Sequence, residues 1–222
     1  MKARTLAAVT APVLWNNWLL PHLALDRRGR TVANTVAATG YALAFDGRPN
    51  WLSGRGLRYG IGCAGVVAAG YAAALLIPPV RRALGDTNDR APDVGTAEWV
   101  AVHIPLGTVY AEELIFRGTL EPLLDREFGR TAGSVAGASV FGLWHVHPAR
   151  ATGDNVWGTV GLTGISGLIF GALYRHTGSA VAPALLHWAV NAGGAMLSRR
   201  GRVRRAEVRP PSSVRAEQQT SR

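Results

Sequence analysis

Between Arg58 and Arg81 the chain runs for 22 residues, Tyr59 to Val80, without a formal charge. A helix rises about 1.5 Å per residue, so this run can cross a bilayer core of about 30 Å. Comparable uncharged stretches are Thr5 to Leu25, Asn155 to Tyr174 and Thr177 to Ser198. Shorter or interrupted ones lie at Thr31 to Phe45, Trp99 to Ala111 and Thr131 to Ala149. The pattern predicts an all-α fold, a polytopic transmembrane bundle of about seven spans. These runs carry the argument, because a mean hydropathy of +0.10 decides nothing alone. Lys2 and Arg4 precede the first stretch as they would a signal peptide. However, Asn16, Asn17 and Trp18 interrupt it, and His22-Leu23-Ala24-Leu25 lacks a small-x-small cleavage pattern, so it reads as a retained helix.

The net charge of +10 is concentrated near the ends of these runs and in the last 24 residues, which hold eight arginines. Residues 199–222 also contain Pro210, Pro211, Ser212, Ser213, Gln218 and Gln219, a composition too polar to build a core. They read as a basic disordered tail, placed in the cytoplasm by the positive-inside rule. Counting seven spans back from the tail puts the N-terminus outside, in a multi-pass protein of the bacterial inner membrane. Basic patches are also the footprint of nucleic-acid binding. Here the charge lacks interleaved aromatics and sits beside membrane spans, so the expected partners are anionic lipids and no nucleic acid. Cys63, the single cysteine, cannot form an intrachain disulfide.

The predicted transmembrane domain is 1–198, with its core in the last four helices, about 97–198. The polar segment Gly85 to Asp93 separates the two halves as a solvated loop. The second half is rich in glycine, and Gly167-xxx-Gly171 leaves a flat helix surface for close packing in lipid. No repeat relates the halves, which argues against an inverted-repeat transporter.

Every ionisable group without an obvious surface role lies in the second half. Glu112 and Glu113 interrupt Val109 to Phe116, where each carboxylate costs on the order of 2.5–3.5 kcal/mol at a bilayer centre. On a helix, Glu113 and Arg117 are i and i+4, in the favourable order for a clamp. Glu112 lies about 100° away and is free for chemistry. Two further one-turn pairs follow, Phe141 with His145 and His187 with Asn191. Hydrolysis of an amide needs a base for water and donors for the oxyanion. Glu112 and His145 suit the first task; His187 and Asn191, on one helical face, suit the second. Glu113, Arg117 and Phe141 read as structural support, Phe141 shielding His145 from lipid. Glu112, His145 and His187 also form a set that zinc permits, without the compact spacing that would require it. His103, opposite Glu112, reads as a helix-to-helix hydrogen bond. His22 and His176 read as interfacial, and His147 as pointing away from the site.

The motifs Glu112-Glu113-xxx-Arg117, Phe141-xxx-His145 and His187-xxx-Asn191 resemble, in order and spacing, those of the CPBP family. These are the CAAX prenyl proteases and bacteriocin-processing enzymes, also called Abi. The string Glu-Glu-Leu-Ile-Phe-Arg-Gly at 112–118 is similar to the first motif of that family. The resemblance covers about Ala97 to Ser198. It implies an α-helical intramembrane endopeptidase in which Glu112 and His145 activate water while His187 and Asn191 support the oxyanion. The expected partner is a membrane-associated peptide or protein substrate. The Arg- and Ala-rich composition looks like a GC-rich bacterial genome, where a prenylated CAAX substrate is not expected. Two other classes share these features: a non-catalytic immunity or scaffold protein and a proton-coupled transporter. The first would tolerate loss of a site residue and none is lost; the second is disfavoured because Asn191 carries no proton.

Overall fold

The computed structural model describes residues 2–80 and 94–208, which are helical apart from short connections. Helix α1, 3–22, joins Ala3–Leu14 and Leu20–His22 through a π-helical turn at Trp15–Leu19. Helix α2 is Arg27–Ala44 and α3 is Gly54–Leu76. Helix α4, 96–128, alternates between forms: π-helical at Trp99–Tyr110, α-helical at Ala111–Ile115, π-helical at Phe116–Leu120 and α-helical at Glu121–Phe128. Helices α5 (Arg130–Trp144), α6 (Val146–Thr152), α7 (Val156–Thr177) and α8 (Val181–Val208) complete the chain, and no strand occurs among the described residues.

Local signals set several boundaries. Asp26, Ser53 and Asn155 each accept a hydrogen bond from the backbone N–H three residues on, capping α2, α3 and α7. Gly129, at a φ of 78°, occupies the left-handed side of conformational space where only glycine sits without strain, and there α4 reverses into α5. Helix α8 continues past Ser198 to Val208. Arginine is a good helix former, and cations suit the negative end of a helix. The remainder of the expected tail, 209–222, and the expected loop at 81–93 lie outside the described residues.

All seven uncharged stretches fall on helices. Among the described residues, two of these helices, α3 and α7, are long and apolar enough to cross a membrane unaided. The others fall short for physical reasons: α5 has 15 residues, α2 opens with Arg27, Arg28 and Arg30, and α4 carries the buried acids and Arg117.

The core is built around α4. Its Leu114, Phe116, Leu120 and Leu124 pack with Phe141 and Trp144 of α5 and Phe170 of α7, while Ala38 and Ala42 of α2 close the other side. His103 ties α2 to α4 through Thr31 Oγ1 at 2.7 Å and reaches Glu98 at 3.2 Å, the interhelical role its position predicts. Arg28 hydrogen-bonds Glu98, ahead of the apolar part of α4, and holds its carboxyl below the usual range, with His103 adding to the effect. His22 bonds its own helix at Trp18 O, and His176 packs edge-on against Tyr59. Helices α5 and α7 meet through small residues: a Cβ on Gly167 would lie 3.1 Å from Phe141. That contact is the close approach expected of the Gly167/Gly171 surface.

Candidate active site

Three elements deliver the site. The α-helical stretch Ala111–Ile115 presents Glu112 and Glu113 from the centre of α4. The junction of α5 and α6 presents His145, whose φ of −93° and ψ of 6° break the helix. Helix α8 presents His187. A break in a membrane helix frees backbone groups that need partners. Here Asn16 donates to Trp144 O at 2.7 Å, while Asn17 donates to Leu143 O at 2.9 Å and accepts from the His147 N–H at 2.6 Å. The two asparagines that interrupt the first apolar stretch therefore hold the break that positions His145.

Glu112 Oε2 lies 3.8 Å from His187 Nε2 and 4.0 Å from His145 Nε2. It is buried and has no hydrogen-bond partner among the described residues, whereas Oε1 accepts from Trp144 Nε1 at 3.2 Å. Each imidazole is fixed by its other nitrogen. His145 Nδ1 lies 2.8 Å from Phe141 O, and a carbonyl can only accept, so Nδ1 carries a proton and in the neutral ring Nε2 offers a lone pair. His187 Nδ1 lies 2.8 Å from Glu113 Oε1, which imposes the same tautomer or supports an imidazolium. The His145 side chain is 20% exposed and that of His187 is 7% exposed, so the site opens on the His145 side.

A layer of buried charge lies behind these groups. Arg117 faces Glu113 at 3.4 Å and Glu121 at 3.5 Å, and Arg175 of α7 pairs with Glu121 at 3.0 Å and Asp125 at 3.0 Å. The Arg117 guanidinium lies 4.4 Å from the centre of the Phe141 ring, with Phe170 and Phe116 at 5.2 and 5.7 Å. Phe141 thus contacts both Arg117 and His145, the latter in a T-shaped ring pair with centres 5.0 Å apart.

Residues 95–193 match the family model described as type II CAAX prenyl endopeptidase Rce1-like. Over these residues the chain is similar to that family. No curated protein and no solved structure matches the chain. The matched segment contains every motif residue singled out in the sequence. Within it the structure brings Glu112, His145 and His187 together. Asn191 follows His187 by one turn of α8 and is half-buried, and among the described residues no hydrogen bond ties its amide to the other three. Glu113 and Arg117 face each other as their spacing predicts, but Glu113 also holds His187.

Several site residues were not singled out from the sequence. Trp144 gives a clue in its type, since a buried indole N–H requires an acceptor. Glu121 continues the four-residue stripe of Glu113 and Arg117, which is a readable signal. Arg175 and Asp125 have none, because their pairing depends on how α7 crosses α4.

Glu112, His145 and His187 do not stand as the ligands of a tetrahedral zinc would. Ligands about 2.0–2.1 Å from such an ion stand about 3.4 Å apart. The separations of 3.8 and 4.0 Å around Glu112 Oε2 are wider. Among the described residues no three His, Cys, Asp or Glu side chains form a metal-holding group. A water bonded at about 2.8 Å to Glu112 Oε2 and to either histidine spans these separations at an angle narrower than tetrahedral.

Proposed function

We propose that the chain is an intramembrane endopeptidase that hydrolyses a peptide bond of a membrane-associated protein or peptide. The observation that carries this reading is the approach of His145 Nε2 and His187 Nε2 to one buried atom, Glu112 Oε2, at 4.0 and 3.8 Å. A water has two protons to donate, so it bonds all three atoms only if one of them holds a proton itself. His187 is the group whose second nitrogen rests on a carboxylate, and it takes that proton as an imidazolium. Water then donates to Glu112 and His145 and accepts from His187.

Attack on the substrate carbonyl transfers a proton from water to Glu112, with His145 holding the remaining O–H. The developing oxyanion accepts from His187 Nε2–H, and Asn191 supplies a second donor from the same face of α8. Glu112 returns the proton to the departing amine, which leaves the site as it began. Trp144 holds Glu112 Oε1 so that Oε2 faces the histidines. No step is routed through a metal.

The test is turnover of a membrane-peptide library by the detergent-solubilised protein. Glu112→Gln is expected to lose roughly 10²–10⁴ in rate while its thermal midpoint stays that of the parent. A chelator such as phenanthroline is expected to leave the parent rate unchanged. Unchanged turnover in Glu112→Gln would remove the catalytic reading in favour of a binding role. Chelator loss restored by zinc would replace the water-only chemistry with metal-assisted chemistry.

A further inference from the structure

Where α3 packs against α8, the protein surface carries an open groove of about 860 Å³ whose lining includes none of Glu112, His145 and His187. Arg55 and Arg58 line one end; Cys63, Val66 and Val67 continue along α3, and Leu186 forms the α8 wall. Nothing in the proposed hydrolysis uses these side chains. Val66 is 74% exposed, on a helix apolar enough to cross a membrane, so the wall of the groove faces lipid.

The two arginines are exposed at the start of that helix. Arg55 meets His176 Nε2 at 3.4 Å and stands 5.8 Å from the Tyr59 ring, and neither arginine meets a carboxylate among the described residues. The arrangement is therefore polarised, with two cations at the mouth and an apolar channel below. From residue 55 to residue 67 a helix rises about 18 Å, close to the depth of one leaflet of a 30 Å core. Headgroup and hydrocarbon are thus both matched, and the cations select the charge of the headgroup.

We propose that this groove binds an anionic phospholipid, its phosphate between Arg55 and Arg58 and an acyl chain along Cys63, Val66 and Val67. Arginine suits the site because its planar fork pairs with phosphate oxygens at two points. The α8 wall at Leu186 adjoins His187, so an occupied groove also braces the helix that carries this imidazole.

The experiment uses the full chain in detergent with phosphatidylglycerol or phosphatidylcholine of identical acyl chains, and inorganic phosphate as a third arm. Cys63 is the single cysteine of the sequence, so its rate of alkylation by a maleimide reports occupancy without any substitution. Phosphatidylglycerol is expected to slow alkylation at concentrations where phosphatidylcholine and phosphate do not. Native mass spectrometry is expected to show preferential retention of phosphatidylglycerol. That preference should fall about fivefold in Arg58→Gln and about 25-fold in Arg55→Gln/Arg58→Gln. Equal protection by the two lipids would show an apolar groove without charge selection, and protection by phosphate alone would show an anion site without a lipid. Either result, or an undiminished preference in the double variant, overturns the proposal; the wild-type alkylation arm decides even if the variants fail to fold.

Discussion

Glu113 has two partners, and this changes what its substitution should do. One oxygen lies 2.8 Å from His187 Nδ1 and the other 3.4 Å from Arg117 Nε. From spacing alone Glu113 is a clamp, and a clamp affects stability without touching chemistry. In the folded protein it also meets His187 Nδ1, and in the proposed hydrolysis it is the charge beside that ring. Glu113→Gln keeps an oxygen able to accept from Nδ1 but removes that charge. It is expected to lower stability by about 3 kcal/mol, because Arg117 loses one of two carboxylates in a buried setting. It should also lower turnover by roughly 10- to 100-fold per folded molecule, the range for groups that orient a functional imidazole, with KM little changed. Thermal melts and single-turnover rates on the same preparation separate the two effects. A melt lowered with turnover intact would return Glu113 to a purely structural role. Trp144 illustrates the same limit on spacing: its bond to Glu112 Oε1 crosses from α5 to α4, and no helical period predicts a contact between two elements.

At the scale of elements, α7 is the helix whose surface can be tested most cleanly, because its glycines fall in two kinds of place. A Cβ on Gly171 would lie 2.6 Å from Glu121 Oε2 and 2.7 Å from Arg175 Nη1, whereas one on Gly161 would meet nothing within 4 Å. Gly171→Ala is expected to cost about 1–3 kcal/mol by overpacking the paired charges. Gly161→Ala on the same helix should be neutral or stabilising by up to about 1 kcal/mol, from helix propensity alone. Thermal midpoints of the two variants check this, and equal shifts would mean that α7 does not approach α4 as described. The flat glycine surface was legible in the sequence, since four-residue spacing survives in a regular α-helix. The π-helical segments of α4 were not. Pro105 sits inside Trp99–Tyr110, where a missing N–H is met by wider turns, and Thr119 Oγ1 bonds back five residues to Leu114 O at 2.8 Å. Side-chain directions through such segments do not follow the 3.6-residue period on which a sequence reading depends.

For the whole molecule, polarity is distributed inside out. Arg117 and Glu113 are 0% exposed, while Leu162 and Ile165 of α7 are 68% and 58% exposed. A large apolar exterior around paired charges is what a bilayer imposes, because it solvates leucine and excludes arginine. This arrangement was legible in part: the uncharged stretches all became helices, and Glu112, His145 and His187 were identifiable as polar groups in apolar runs. The span count was less legible, since α4 and α5 bury their polar faces against each other and cannot be judged one helix at a time. Among the described residues two helices qualify as spans alone, and the seven-span reading needs the others to cross as a packed group. It makes a prediction that needs no enzymology. With seven crossings the two ends of the chain lie on opposite faces, and by the positive-inside rule the eight arginines of residues 199–222 are expected to keep the C-terminal end in the cytoplasm. Reporters active on only one side of the membrane, fused before Met1 and after Arg222, are expected to place the N-terminus outside and the C-terminus inside. Reporters on the same face would require an even number of crossings. In that case α1 is the first helix to reassign, because its Asn16 and Asn17 must still reach the break at His145 from wherever the helix lies.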